Sequence, residues 1–209
     1  MSDSIVDEGQ TRRDFLFLTA ATTGVVATAA VLWAMVDSME PSADVIAAGA
    51  PLDVDISQIK PGQQIVVLWR AHPVYIANRT QPLLDRLQHS DTSRLSDPDS
   101  DVMQQPDYAK NWHRSIKPEY LVLVGICTHL GCLPRFEPDP GGALGADWPG
   151  GYFCPCHGSR YDLAARVFKG VPAPYNLPVP PHRFVDDKTL RIGENPPNTQ
   201  FDFDDIVQM

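Results

Sequence analysis

The chain has 209 residues, enough for one compact domain with appendages. Its 17 Lys and Arg residues stand against 26 Asp and Glu residues, which gives a formal net charge of −9. No basic patch reverses this balance, so the composition argues against a nucleic-acid partner. The 20 prolines and 14 glycines predict a loop-rich, mostly β fold.

Residues 1–14 form a polar N-terminus that contains a pair of arginines. The run Thr11-Arg12-Arg13-Asp14-Phe15-Leu16 resembles a twin-arginine export signal, although Phe17 stands where a lysine often follows. That route exports folded proteins, which suits a cofactor inserted before export. The same arginines also fit the positive-inside flank of a membrane helix, so we expect a cytoplasmic N-terminus.

Residues 15–36 carry no charge. As a helix this run would span about 33 Å, which is enough to cross a bilayer core. It is also longer than the roughly 7–15 apolar residues of a signal peptide. We therefore predict one uncleaved transmembrane anchor. The alternative is cleavage after Ala48-Gly49-Ala50, which would release a soluble domain.

Residues 37–50 are predicted to form a tether, because they include Pro41, Gly49 and many alanines and show no strand pattern. The head is predicted to span residues 51–193. Residues 194–209 form an acidic tail without a strand pattern, which predicts either disorder or contact with a partner subunit.

Apolar runs bounded by turn residues predict the strands of the head. The predicted segments are Gln63–Trp69, Pro73–Ala77, Tyr120–Ile126, a hairpin over Arg160–Phe168, and a closing hairpin of Pro178–Val185 with Thr189–Ile192. Tyr120–Ile126 is uninterrupted, so we expect it to be buried on both faces. Residues 79–118 are predicted to form a polar insertion with a short helix near Leu83–Leu87. No residue of this segment has an identifiable chemical role. Residues 134–151 predict a long surface connection.

All 4 cysteines lie in two short boxes, Cys127–Cys132 and Cys154–Ser159, and each box also contains one histidine. Two Cys and two His can hold a tetrahedral zinc ion. They can equally hold a 2Fe–2S cluster, with two thiolates on one iron and two imidazoles on the other. Small and polar neighbours favour the cluster, since such sites need hydrogen bonds to sulfur. The two remaining cysteines could pair outside the cytosol.

The paired boxes resemble those of Rieske iron–sulfur proteins, in the disulfide-bearing form of the cytochrome bc complexes. The residues that this resemblance implies are the thiolate ligands Cys127 and Cys154, the imidazole ligands His129 and His157, the disulfide partners Cys132 and Cys156, and the sulfur-bonding residues Ser159 and Tyr161. It also implies an antiparallel β-sandwich head with a smaller cluster-binding subdomain at about residues 125–176.

Two further segments match features of that family. The run Lys169–Pro174 resembles the proline loop that covers the cluster, although Val171 separates Gly170 from Pro172. Leu130, beside His129, predicts either an apolar tip for docking or simple packing within its loop.

The ligand set also indicates what the centre does. The charges of two ferric ions, two sulfides and two thiolates cancel, so an added electron is repelled less than in a four-thiolate cluster. The reduction potential is therefore high, which suits a quinol donor. The resemblance implies that ubiquinol gives one electron and one proton at His157, with His129 alongside. The electron would then pass to a c-type cytochrome, while the second goes to a cytochrome b subunit.

These expectations describe the Rieske subunit of a proton-translocating quinol–cytochrome c reductase. The resemblance implies a dimeric complex in the bacterial inner membrane, with a single-pass anchor and a periplasmic head that swings on its tether. Two alternatives remain open from the sequence: the small subunit of another exported enzyme, such as an arsenite-type molybdenum oxidase, and a structural zinc module without a redox role.

Overall fold

The computed structural model describes residues 12–40, 42 and 49–208. Contacts divide the chain into two units, one up to Ala47 and one from Ala48 onward. The expectations for the polar N-terminus before Arg12 and for Pro41 and residues 43–48 of the tether lie outside the described residues.

The first unit contains one helix, α1, from Arg12 to Asp37. None of its side chains is buried, which fits a run that is apolar on all sides. Among the described residues it is the one helix long and apolar enough to cross a membrane, a test that a signal sequence also passes. The hydroxyl of Thr23 donates to the Thr19 carbonyl at 2.7 Å, so this polar group needs no water.

The head contains three antiparallel sheets of three strands each in its described part. The strands are β1 Leu52–Asp55, β2 Gln64–Trp69, β3 His72–Asn78, β4 Tyr120–Val124, β5 Arg135–Glu137, β6 Gly151–Phe153, β7 Arg160–Tyr161, β8 His182–Phe184 and β9 Thr189–Ile192. Their spatial orders are β1-β9-β8, β2-β3-β4 and β5-β6-β7. The mostly β prediction is confirmed.

The sheet β2-β3-β4 separates two cores. On one face, residues such as Val122 pack with Leu190 of the β1-β9-β8 sheet, and these two sheets form the sandwich. On the other face, residues such as Leu123 pack with Tyr152 and with the cysteine loops of the smaller subdomain. Neighbouring residues of β4 therefore enter different cores, as the uninterrupted apolar run predicted.

The insertion contributes helix α2, Gln81–Gln88, close to the predicted position. A proline lies in its first turn. Backbone N–H groups in the first turn have no acceptor within the helix, so the N–H that proline lacks is not needed there. Leu83 and Leu87 are buried against Leu163 of the Arg160–Phe168 hairpin. The insertion therefore packs under the cluster-binding subdomain.

The tail differs from its sequence-based expectation. Over residues 194–208 it lies on the head, and Phe203 is only 3% exposed. The Phe203 ring meets Trp69 edge-on at 5.4 Å between centroids, and Asp204 pairs with Arg70 at 3.1 Å. A single buried aromatic among acidic residues gives no periodic pattern, which explains why the sequence did not predict this contact.

Candidate metal centre

Two loops with the same backbone pattern hold the cysteine boxes. The bonds are Cys127 N–H to Cys132 O at 2.7 Å, Gly131 N–H to Cys127 O at 2.9 Å, Cys154 N–H to Ser159 O at 2.8 Å, and Gly158 N–H to Cys154 O at 3.0 Å. Gly131 and Gly158 have φ values of +82° and +76°, a conformation that favours glycine. Each loop therefore closes on a cysteine at its base and presents a histidine beyond it.

The four cysteines are of two kinds. Cys132 and Cys156 form a disulfide that joins the loops, as the resemblance implies. Cys127 and Cys154 are free thiols, each 1% exposed. The Cys154 sulfur lies within 4.8 Å of both disulfide sulfurs, but these offer no thiolate and do not complete a ligand set. The free thiols are therefore the sulfur donors available to a metal.

The thiol of Cys154 favours its protonated form. Burial raises the pKa of Cys154, and a hydrogen bond with Cys127 raises it further. A thiol must lose its proton to bind a metal, so the affinity of this site for a metal centre rises with pH.

His129 and His157 extend from the two loops toward each other. Their ring centroids are 4.7 Å apart and their planes are perpendicular. His157 is exposed and His129 is half-buried, whereas the free thiols are buried. The two loops thus carry two sulfur and two nitrogen donors, a set that suits zinc or a mixed-ligand 2Fe–2S cluster.

A buried tyrosine hydroxyl contacts the Cys127 sulfur. The Tyr161 hydroxyl lies 3.2 Å from the Cys127 sulfur and 3.4 Å from the Thr128 hydroxyl. Burial raises the pKa of Tyr161, so its phenol keeps a proton that it can donate to a thiolate.

Ser159 distinguishes between the two kinds of metal centre. It is fully buried, and its hydroxyl oxygen accepts the Ala173 N–H at 3.1 Å. Among the described residues its hydroxyl hydrogen has no acceptor. A bridging sulfide would supply one, whereas a zinc ion with four protein ligands would not. The residues present therefore fit the iron–sulfur cluster.

The first cysteine loop and the Lys169–Pro174 run expose apolar side chains. Leu130 is 71% exposed, so it does not fill the interior of its loop, and Leu133 and Pro172 are also exposed. The loop of Pro172 is held by Ala173, which is buried in the core that contains both free cysteines.

Sequence reasoning missed the polar residues beneath the loops. Gln208 donates to the Thr128 carbonyl at 2.6 Å. The buried Arg114 donates to the Leu177 carbonyl at 3.0 Å and the Ala165 carbonyl at 3.2 Å. Burial lowers the pKa of Arg114 to about 10. No local pattern marks these residues, because their partners are distant in sequence.

The comparisons with known proteins agree with this site. Residues 2–42 match the family model "Ubiquitinol-cytochrome C reductase Fe-S subunit TAT signal", and residues 94–181 match "Rieske [2Fe-2S] domain". The ubiquinol-cytochrome c reductase iron-sulfur subunit of Allochromatium vinosum is 52% identical, covering 88% of this chain and 89% of that protein. The corresponding subunit of Blastochloris viridis is 47% identical, with coverages of 88% and 93%.

A solved structure titled "Hyperthermophilic respiratory Complex III" covers 83% of this chain and 97% of its own, at 26% identity and a TM-score of 0.45. The disulfide-linked loops and the matched domain define a Rieske-type iron–sulfur protein with one 2Fe–2S cluster. At the identities found, the chain belongs to the iron–sulfur subunits of ubiquinol–cytochrome c reductase. This membership favours the cluster over zinc, and the reductase over the molybdenum oxidase.

Proposed function

We propose that Cys127 and Cys154 bind one iron of the cluster and that His129 and His157 bind the other. The observation that supports this best is that the two disulfide-linked loops carry a pair of buried thiols and two converging imidazoles. When bound there, the cluster accepts and releases one electron at a time. In this role the chain takes an electron from ubiquinol and passes it to a c-type cytochrome.

Two buried hydroxyl groups set the electrostatics of this site. Tyr161 would donate a hydrogen bond to the Cys127 thiolate, and the hydroxyl hydrogen of Ser159 would be available to a sulfur of the bound cluster. Both donors stabilise the negative charge that accompanies reduction, so both raise the reduction potential. Their burial excludes water, which strengthens each bond.

His157 contacts the quinol, with His129 alongside. Exposure supports this assignment, because the side chain of His157 is exposed, and the ring nitrogen that does not bind iron would be accessible to a docked quinol. That nitrogen accepts the hydrogen bond of the quinol hydroxyl and then takes its proton. The exposed Leu130 and Pro172 pack against an apolar surface of the cytochrome b subunit.

The helix α1 anchors the chain in the bacterial inner membrane, with Arg12 and Arg13 on the cytoplasmic side and the head in the periplasm. Its length, its apolar surface and the twin-arginine family match support this topology. The disulfide supports an oxidising compartment for the head. Residues 37–50 act as the tether in a dimeric complex with cytochrome b and c-type cytochrome subunits.

Low-temperature EPR of washed membranes from cells that produce the full chain tests this proposal. We expect the reduced spectrum of a mixed-ligand 2Fe–2S cluster in the membrane fraction, together with b and c haems that co-purify with the chain. The substitution His157→Ala should abolish the spectrum, whereas the exposed His89→Ala should preserve it. A cluster signal confined to the soluble fraction, or retained in His157→Ala, would contradict the proposal.

A further inference from the structure

The insertion and the tail, the two segments without chemistry in the sequence, meet beneath the first cysteine loop. Val207 of the tail donates its N–H to the Met103 carbonyl at 3.0 Å. The fully buried Gln104 then bonds reciprocally to the backbone of Gln208. Its Nε2 donates to the Gln208 carbonyl at 2.7 Å, and its Oε1 accepts the Gln208 N–H at 3.1 Å.

The side chain of Gln208 continues to the loop itself. Its Nε2 donates to the Thr128 carbonyl at 2.6 Å. Thr128 is fully buried, and on its other side its hydroxyl donates to the Tyr175 carbonyl at 2.7 Å. The residue between Cys127 and His129 is therefore fixed from two directions.

The tail is also held upstream of Gln208. Phe203 is buried against the ring of Trp69. The Trp69 ring also lies close to Gly193, because a Cβ at Gly193 would be 2.6 Å from the Trp69 Nε1. Asp204 pairs with Arg70 at 3.1 Å. These contacts fix the path of the tail before it reaches Gln104. They therefore hold the Gln208 amide beside the Thr128 carbonyl.

We propose that Gln208 is a positioning residue for the cluster, acting through the peptide that joins Thr128 to His129. This proposal rests on the ligand assignment under Proposed function. By holding the Thr128 carbonyl, the Gln208 amide orients the backbone on which His129 is mounted. It also directs the positive end of an N–H dipole at a loop that becomes more negative on reduction, which favours the reduced state.

The substitution Gln208→Met tests the proposal, because methionine keeps the side-chain length and the backbone bonds to Gln104 but cannot donate. In the complex purified with the full chain, we expect shifted g-values in the EPR spectrum and a lower midpoint potential. Iron should be lost to a chelator about tenfold faster, as when a group that orients a metal ligand is removed. The matched control is Gln200→Met, which makes the same change at an exposed tail position and should behave as the wild type.

Wild-type g-values, potential and iron release in Gln208→Met would overturn the proposal. Equal changes in Gln208→Met and Gln200→Met would also overturn it, because the effect would then belong to the tail in general. A wild-type complex without any mixed-ligand cluster spectrum would instead overturn the ligand assignment, and the positioning role with it. Failure of the positioning role and failure of the proposed function are therefore distinguishable.

Discussion

The hydroxyl of Tyr161 approaches the Cys127 sulfur from inside the protein. The side chain is fully buried, so the hydroxyl cannot exchange this contact for water. A hydrogen bond to a thiolate stabilises the charge that builds up on reduction. At the scale of single residues, Tyr161 therefore connects the packing of the head to the chemistry of the site.

Tyr161→Phe should lower the midpoint potential by roughly 50–100 mV, because it removes one hydrogen bond to a charged group. The fold should persist, since the ring that packs in the core is retained. Redox titration of the complex measures the potential. Tyr175→Phe is the control, because Tyr175 accepts the Thr128 hydrogen bond through its backbone carbonyl, which the substitution keeps. An equal potential in Tyr161→Phe and the wild type would show that the hydroxyl does not act on the sulfur.

His182 makes the stability of the head depend on pH. The side chain is fully buried, its Nδ1 bonds the Pro180 carbonyl at 2.8 Å, and its Nε2 has no partner among the described residues. Burial lowers the pKa of His182 from 6.5 to about 4. The unfolded chain therefore binds a proton that the folded chain refuses, and this difference favours unfolding as the pH falls below 6.5.

This shift predicts a loss of about 3 kcal/mol of folding free energy as the pH falls from 6.5 toward 4. Urea unfolding of the purified full chain at several pH values measures it. In His182→Phe that part of the pH dependence should disappear, whereas the exposed His89→Phe should keep it. A pH dependence as steep in His182→Phe as in the wild type would contradict the assignment to His182.

The residues of the site differ in how far the sequence predicts them. His129 and His157 lie at short offsets from cysteines in the sequence, so the two boxes can be recognised before the fold is known. Gln104 and Gln208 meet across 104 positions, and neither belongs to a motif. Their role depends on burial and on a path of the tail that the sequence does not encode locally.

At the scale of elements, the turn of the Arg160–Phe168 hairpin is built on a buried ion pair. The Oδ2 of Asp162 lies 2.7 Å from the Nη2 of Arg166, and both side chains are almost fully buried. The Asp162 carboxylate also accepts the N–H groups of Ala164 and Arg166. The turn therefore stabilises the end of strand β7, which contains Tyr161.

Asp162→Asn should lower the free energy of unfolding by about 3–5 kcal/mol, because Arg166 would remain buried without its counter-charge. Asp186 offers a matched control in an exposed turn, where its carboxylate accepts the N–H groups of Lys188 and Thr189. Asparagine can make the same turn bonds, so Asp186→Asn should change stability by less than about 1 kcal/mol. Denaturant unfolding compares the two variants, and equal effects would contradict a special role for the buried pair.

The longer strands were predictable, whereas the three-residue strand Arg135–Glu137 was not. Gln64–Trp69 and Tyr120–Val124 lie within predicted runs, because five or six apolar residues are enough to show a pattern. Arg135–Glu137 has three residues and lies in a segment predicted to be a surface connection. It is a strand because Gly151–Phe153 pairs with it, which is a tertiary cause.

At the scale of the whole molecule, the disulfide joins two loops that are separated by 24 positions. Closing a loop of this size restricts the unfolded chain and stabilises the fold by about 3–4 kcal/mol. The link also keeps the two halves of the site together before a cluster is present. The metal-free head therefore retains a site ready for binding.

The division of the cysteines predicts a thiol count. After cluster removal, the full chain denatured without a reductant should show 2 reactive thiols, Cys127 and Cys154. After reduction, cleavage of the Cys132–Cys156 link should release two more. Labelling with a thiol reagent followed by mass spectrometry gives both counts and their positions. Four reactive thiols before reduction would contradict the division.

The central claim is that one histidine from each loop binds the same iron–sulfur centre. Electron–nuclear double resonance of the reduced complex, produced with ¹⁵N-labelled histidine, tests this claim most directly. The account predicts couplings from two histidine nitrogens, which come from His129 and His157. A reduced cluster without histidine nitrogen couplings, or with only one, would contradict it.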